Sequence, residues 1–119
     1  MLVLARPGPA GDDLFAELSG RADLTLLRVA TAAAAGLAIR ELPVALVVAC
    51  PDAATEEIES VLSLRDAVRP GTPVLAIRAR QAATPGAWSG RGVAVLRMPL
   101  LPDVLSRSVD VVLGMKRGA

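Results

Sequence analysis

Short apolar runs alternate with helix-forming stretches from one end of the chain to the other, and few folds accept that pattern. The runs are Leu2-Val3-Leu4-Ala5, Leu24-Thr25-Leu26-Leu27, Val44 to Ala49, Pro73 to Ile77 and Val93 to Leu96. The third is continuous and rich in β-branched valine, as expected of a central strand covered on both faces. Asp12 and Asp13 precede Leu14, Phe15 and Leu18, giving a first helix with an acidic N-terminal turn that suits the helix dipole. Thr31 is expected to cap the alanine-rich run Ala32 to Leu42, which Pro43 stops. Asp52 is the expected cap of a third helix, with Ile58, Val61, Leu62, Arg65 and Val68 at helical spacing. Residues Arg80 to Arg91 contain Pro85, Gly86 and Gly90, so a short or irregular helix is expected there. Pro102 and Asp103 suit the first turn of the last helix. Its predicted core-facing stripe is Leu101, Val104, Leu105, Ser108, Val111, Val112 and Met115.

A βα unit repeated five times implies a parallel sheet with right-handed crossovers and helices on both faces. The expectation is a flavodoxin-like (βα)5 three-layer α/β sandwich, strand order 2-1-3-4-5, as one domain over residues 1–119. The composition agrees. The chain is 53% hydrophobic with a mean hydropathy of +0.51, yet no apolar run approaches the roughly 20 residues of a membrane helix. No basic, apolar and cleavage-site succession marks the start, so a cytoplasmic location is expected, and the single Cys50 has no internal disulfide partner. With 13 basic and 12 acidic residues dispersed along the chain, no nucleic-acid-binding stripe is visible. The chain has no histidine and no tyrosine, lacks a glycine-rich phosphate loop, and offers no nucleophile–base pair. No enzymatic activity and no cofactor are therefore expected.

Local signatures narrow the fold further. Pro43-Val44-Ala45-Leu46-Val47-Val48-Ala49 is similar to the P-D-L-V-L-L-D of receiver domains in two-component response regulators, the CheY-like family. The Ala-rich stretch Ala30 to Ala38 resembles that family's second helix, and Thr72-Pro73-Val74 its T-P-V-I. Met98-Pro99-Leu100 followed by Pro102-Asp103-Val104-Leu105 resembles K-P-F…P-E-E-L. The resemblance covers the whole chain.

The resemblance also implies a site, and here the chain departs from it. The family's phosphoacceptor aspartate matches Ala49, and its pair of Mg²⁺-holding acids matches Ala5 and Arg6. Its strand-4 hydroxyl matches Arg78, and its lysine matches Met98. Alanine has no oxygen to phosphorylate. Guanidiniums in place of carboxylates repel a divalent cation, so no Mg²⁺ and no metal are expected.

Several residues carry competing readings. Asp12 and Asp13 are displaced metal ligands or a helix start, and Asp52 is a shifted phosphoacceptor or a helix cap. Cys50 is a redox switch or an inert buried thiol. Arg6, Arg78 and Arg97 lie at or near C-terminal strand ends and are candidates for an anion pocket, or ordinary solvated or paired arginines. Trp88 is an exposed interaction anchor or a plug beneath the irregular segment.

The leading expectation is a degenerate pseudo-receiver. It would act as a phosphorylation-independent protein-interaction or dimerisation module in signal transduction or transcription regulation. Its partner face, for a protein or a second copy, is expected between Trp88 and Arg107, with Trp88, Arg97, Leu100 and Arg107 as candidates. Neither nucleic acid nor membrane is expected to bind this domain directly. The competing expectation is a small-molecule or anion sensor using Arg6, Arg78 and Arg97. Gly118-Ala119 is either a natural end or the start of a linker to an output domain.

Overall fold

The computed structural model describes residues 1–20, 25–101 and 103–118, with the side chains of Ser89 and 115–118 excepted. Five parallel strands form one sheet in the order β2-β1-β3-β4-β5. They are β1 (Leu2–Leu4), β2 (Leu27–Val29), β3 (Val47–Ala49), β4 (Val74–Arg78) and β5 (Val93–Arg97). Among the described residues four α-helices connect or follow them: α1 (Pro9–Ser19), α2 (Ala32–Glu41), α3 (Thr55–Val68) and α4 (Val104–Gly118). The crossover between β4 and β5 contains only a 3-10 helix, Gly86–Arg91. Pro85 and the glycines of this stretch explain the short element. Gly92 ends it at φ 72°, a left-handed conformation that favours glycine, and donates its N–H to the Trp88 carbonyl.

Every residue of β1, β3 and β4 is buried. Side chains alternate between the sheet faces, so each central strand feeds two cores. Leu2, Leu4, Val47, Ala49, Val74 and Ala76 face Ala35 and Ile39 of α2, Ile58 and Leu62 of α3, and Trp88. Val3, Ala5, Val48, Cys50, Leu75 and Ile77 face Leu14 and Leu18 of α1 and Leu105, Val109 and Leu113 of α4. Among the described residues no helix is long and apolar enough to cross a membrane.

The strand order and parallel sense are as expected, but several boundaries move. The second strand is Leu27–Val29, three residues later than the apolar run that suggested it; of that run, Leu24 lies outside the described residues. β2 is an edge strand with Leu27 exposed and its other residues half-buried, so it does not show the continuous apolar pattern of a covered strand. The first helix begins at Pro9, ahead of the two aspartates, because proline is well suited to the first helical position. Thr31 does cap α2, its Oγ1 accepting the Ala34 N–H at 3.1 Å. The cap of α3 is Ala54 rather than Asp52, and the Glu57 carboxylate accepts the Ala54 N–H at 3.1 Å. Pro102 and Met115 fall outside the residues whose side chains are described.

The largest correction concerns the last helix. Its core-facing row is Leu105, Val109 and Leu113, at i, i+4 and i+8. Leu101 is 73% exposed and Val111 60% exposed, while Val104, Ser108 and Val112 are half-buried. The predicted stripe therefore straddles the boundary instead of facing the core, because α4 packs on one margin of its apolar arc. Replacing Leu105 by Ala is expected to cost about 2–5 kcal/mol, through lost burial and a residual cavity. Val111→Ala is expected to change stability by less than about 0.5 kcal/mol. Urea unfolding of the two variants checks the orientation of the helix.

Candidate functional site

In an open parallel sheet the crevice outside the C-terminal strand ends is where ligands bind. The topology brings Ala5, Arg6, Ala49, Arg78 and Met98 to that edge. Ala5 directly follows β1, and Ala49 ends β3; both are buried. Arg78 ends β4 and stands in register with Arg97, the last residue of β5. The Met98 N–H donates to the Arg78 carbonyl at 2.8 Å, and the Met98–Pro99 peptide is cis.

Arginines now occupy much of this edge. The Arg6 guanidinium is ion-paired to Glu57, in the first turn of α3. Arg28, from β2, donates Nη1 to Asp12 Oδ1 at 2.6 Å and Nη2 to the Arg6 carbonyl at 2.8 Å. Its Nε donates to the Ala5 carbonyl at 3.4 Å, and its guanidinium lies 5.8 Å from the Phe15 ring centroid. Arg28 thus ties the loop after β1 to α1. Arg78 is only 6% exposed. Its Nη2 donates to Thr55 Oγ1 at 2.8 Å and to the Ala83 carbonyl at 3.0 Å, while its buried Nε has no hydrogen-bond partner. The guanidinium lies 5.3 Å from the Trp88 ring centroid, a cation–π contact that in a desolvated setting is worth about 2 kcal/mol. Arg97, on the exposed side, donates to the carbonyls of Ala82 at 2.7 Å and Ala79 at 3.4 Å, and to Thr84 Oγ1 at 3.0 Å.

The three arginines grouped by sequence position therefore separate. Arg78 and Arg97 are neighbours in register, whereas Arg6 is neutralised by Glu57. Asp12 is partnered by Arg28, and Asp13 is exposed on α1. One buried carboxylate oxygen of Asp52, Oδ1, has no hydrogen-bond partner among the described residues. Among the described residues no group of three or more acidic or cysteine side chains is placed to hold a metal ion.

Trp88 plugs the core. It is 1% exposed, so it leaves the candidate interaction face. Its indole N–H donates to Glu59 Oε1 at 2.6 Å. Arg91 bridges Glu59 Oε2 at 3.0 Å and Asp66 Oδ2 at 2.9 Å. Arg65, 2% exposed, donates to Asp66 Oδ1 from both Nε and Nη2. These donors hold the Asp66 carboxyl below the usual aspartate range, hydrogen bonding from Arg65 first and then from Arg91. The network fastens the 3-10 helix to α3. Of the other candidates on that face, Arg97 and Arg107 are exposed and Leu100 is half-buried. Beside them, Leu75, Ala94, Leu96, Val104, Val111 and Val112 line most of an open apolar groove of about 410 Å³ between β5 and α4.

Sequence reasoning missed Arg28, Glu57 and Thr55. The misplaced second strand put Arg28 in a loop, and nothing in the local sequence couples Glu57 to Arg6 across 51 positions. The only available signal for Arg28 was the Leu-Arg-Val alternation of an edge strand.

With this geometry in hand, comparison with solved structures gives a match to the signal receiver domain of a putative Luxo repressor protein from Vibrio parahaemolyticus. The TM-score is 0.75 at 20% sequence identity, covering 98% of this chain and 91% of that one. The chain has the fold of a signal receiver domain. No protein-family model and no curated protein matches the sequence.

Burial pushes the Cys50 thiol up to about 12, aided by the Asp52 charge and opposed by Arg28. A thiol that stays neutral when folded contributes stability that is lost as pH rises above the unfolded value of 9.0, where the unfolded chain ionises first. Stability is therefore expected to fall between about pH 9 and 12, and Cys50→Ala is expected to reduce that part of the loss. At about pH 8 the native thiol is expected to resist a disulfide reagent that labels the denatured chain readily. Thiol titration in both states and pH-dependent urea unfolding check these outcomes.

Proposed function

We propose that this chain is a phosphorylation-independent pseudo-receiver, a protein-interaction module of signal transduction or transcription regulation. The observation that carries the reading is the occupation of the strand-end crevice. Ala49 has no phosphorylatable oxygen, and arginine side chains take up positions where a phosphotransfer site needs acids and a hydroxyl. Arg28 is bound to Asp12, Arg6 to Glu57, and Arg78 to Thr55. A divalent cation would meet guanidiniums here instead of a carboxylate cage.

The 3-10 helix supports the same reading. Trp88 is buried beneath it, and Glu59, Arg91 and Asp66 tie it to α3. A segment held this way favours a constant surface over one that rearranges with phosphorylation. The surface available to a partner is the groove between β5 and α4, with Leu101 and Val111 exposed and Arg107 at its margin. A shallow apolar groove edged by charge fits a protein partner or a second copy better than a nucleic acid.

Incubation with acetyl phosphate and Mg²⁺ is expected to leave the intact mass unchanged, and a stoichiometric phosphoryl adduct would falsify the reading. Size-exclusion chromatography with light scattering, across a concentration series, reads self-association. If the groove joins two copies, Val111→Asp is expected to shift a dimer to monomer while Arg40→Ala, on α2, leaves it unchanged. A dimer indifferent to Val111→Asp excludes the groove as its contact.

A further inference from the structure

Among the described residues four arginines have a carboxylate for company: Arg6 with Glu57, Arg28 with Asp12, Arg65 with Asp66, and Arg91 with Glu59 and Asp66. The C-terminal edge of β4 and β5 is different. Arg78 and Arg97 are directly in register, so their side chains leave the sheet on the same face, and Arg80 is exposed in the loop that follows β4. Among the described residues none of the three arginines forms an ion pair, with 4.0 Å as the limit.

Backbone carbonyls and hydroxyls only partly replace a counter-ion. Arg78 spends a single nitrogen on Thr55 and the Ala83 carbonyl, and its buried Nε makes no hydrogen bond. Arg97 holds the carbonyls of Ala79 and Ala82 in the same loop. These are dipoles, and the positive charge remains. A nine-tenths buried guanidinium without an anion is unusual, since buried charges are normally paired. The place is also the strand edge at which open α/β sheets bind ligands. Guanidinium forks match the spacing of phosphate oxygens, and adjacent arginines are suited to a doubly charged tetrahedral group.

We propose that Arg78, Arg80 and Arg97 form a binding site for a small phosphate-type oxyanion. Arg97 and Arg80 supply the accessible charge, and Arg78 supplies the buried end of the seat. Arg6, which the sequence places on the same edge, takes no part because Glu57 already holds it. The site stands independently of the interaction reading, because it uses none of the groove between β5 and α4.

The single Trp88 gives the assay its signal, because the Arg78 guanidinium lies 5.3 Å from its ring centroid. Inorganic phosphate is titrated into the purified chain at constant ionic strength, with chloride and acetate as reference salts, following Trp88 emission and thermal unfolding. Phosphate is expected to change the emission saturably and to raise Tm, as any ligand of the native state does. Arg97→Gln, an exposed change that leaves the core alone, is expected to weaken the apparent affinity by about tenfold or more. Arg6→Gln is expected to leave it unaltered. Thr55→Glu, which places a carboxylate beside Arg78, is expected to raise Tm without phosphate and to reduce the phosphate response. A phosphate response no larger than that to chloride or acetate overturns the proposal, as does one retained in full by Arg97→Gln. Neither result touches the phosphorylation-independent reading, which the intact-mass experiment tests.

Discussion

Burial of β1, β3 and β4 on both faces is the constraint from which the architecture follows. A strand with no solvent-facing side must have helices above and below it, and parallel strands need crossovers long enough to supply them. Alternate residues of β1 and β3 therefore go to two separate cores, one closed by α2, α3 and Trp88, the other by α1 and α4. α2 and α3 approach closely where Gly36 faces Leu64: a Cβ at Gly36 would collide with a Leu64 methyl. The irregular crossover before β5 leaves one stretch of the sheet without an α-helix, and the Trp88 side chain fills that space.

The filling has an electrostatic side. Trp88 contributes a large apolar body but also an indole N–H, which needs a partner when buried. Glu59 accepts it, and Glu59 is in turn held by Arg91, whose other contact, Asp66, is held by Arg65. The ring face is covered by Arg78. One aromatic residue thus sits between a carboxylate network on α3 and an arginine at the end of β4. This arrangement links the shape of the β4–β5 crossover to the chemistry of the strand-end crevice, because the arginine at the end of β4 also packs on the residue that secures the crossover. Arg78 and Arg65 differ: both are buried, yet Arg65 has Asp66 beside it and Arg78 has no ion-paired carboxylate among the described residues.

The sequence by itself determined the order of elements, the parallel sheet and the absence of an acid at the end of β3, because these depend on local periodicity and on residue identity. Thr31 as a cap was legible for the same reason: its partner, the Ala34 N–H, is three residues away. Tertiary structure decided whatever depends on distant neighbours. The edge position of β2 erased its apolar signature and moved the strand to Leu27–Val29. The docking angle of α4 selected Leu105, Val109 and Leu113 from a broader apolar arc. Pairing across the fold removed Arg6 from the basic group, by Glu57, and left Arg78 and Arg97 side by side. An arginine reads the same in a sequence whether its charge is balanced or not. Only the packed chain sets which carboxylates come within reach, and so which positive charges stay uncompensated.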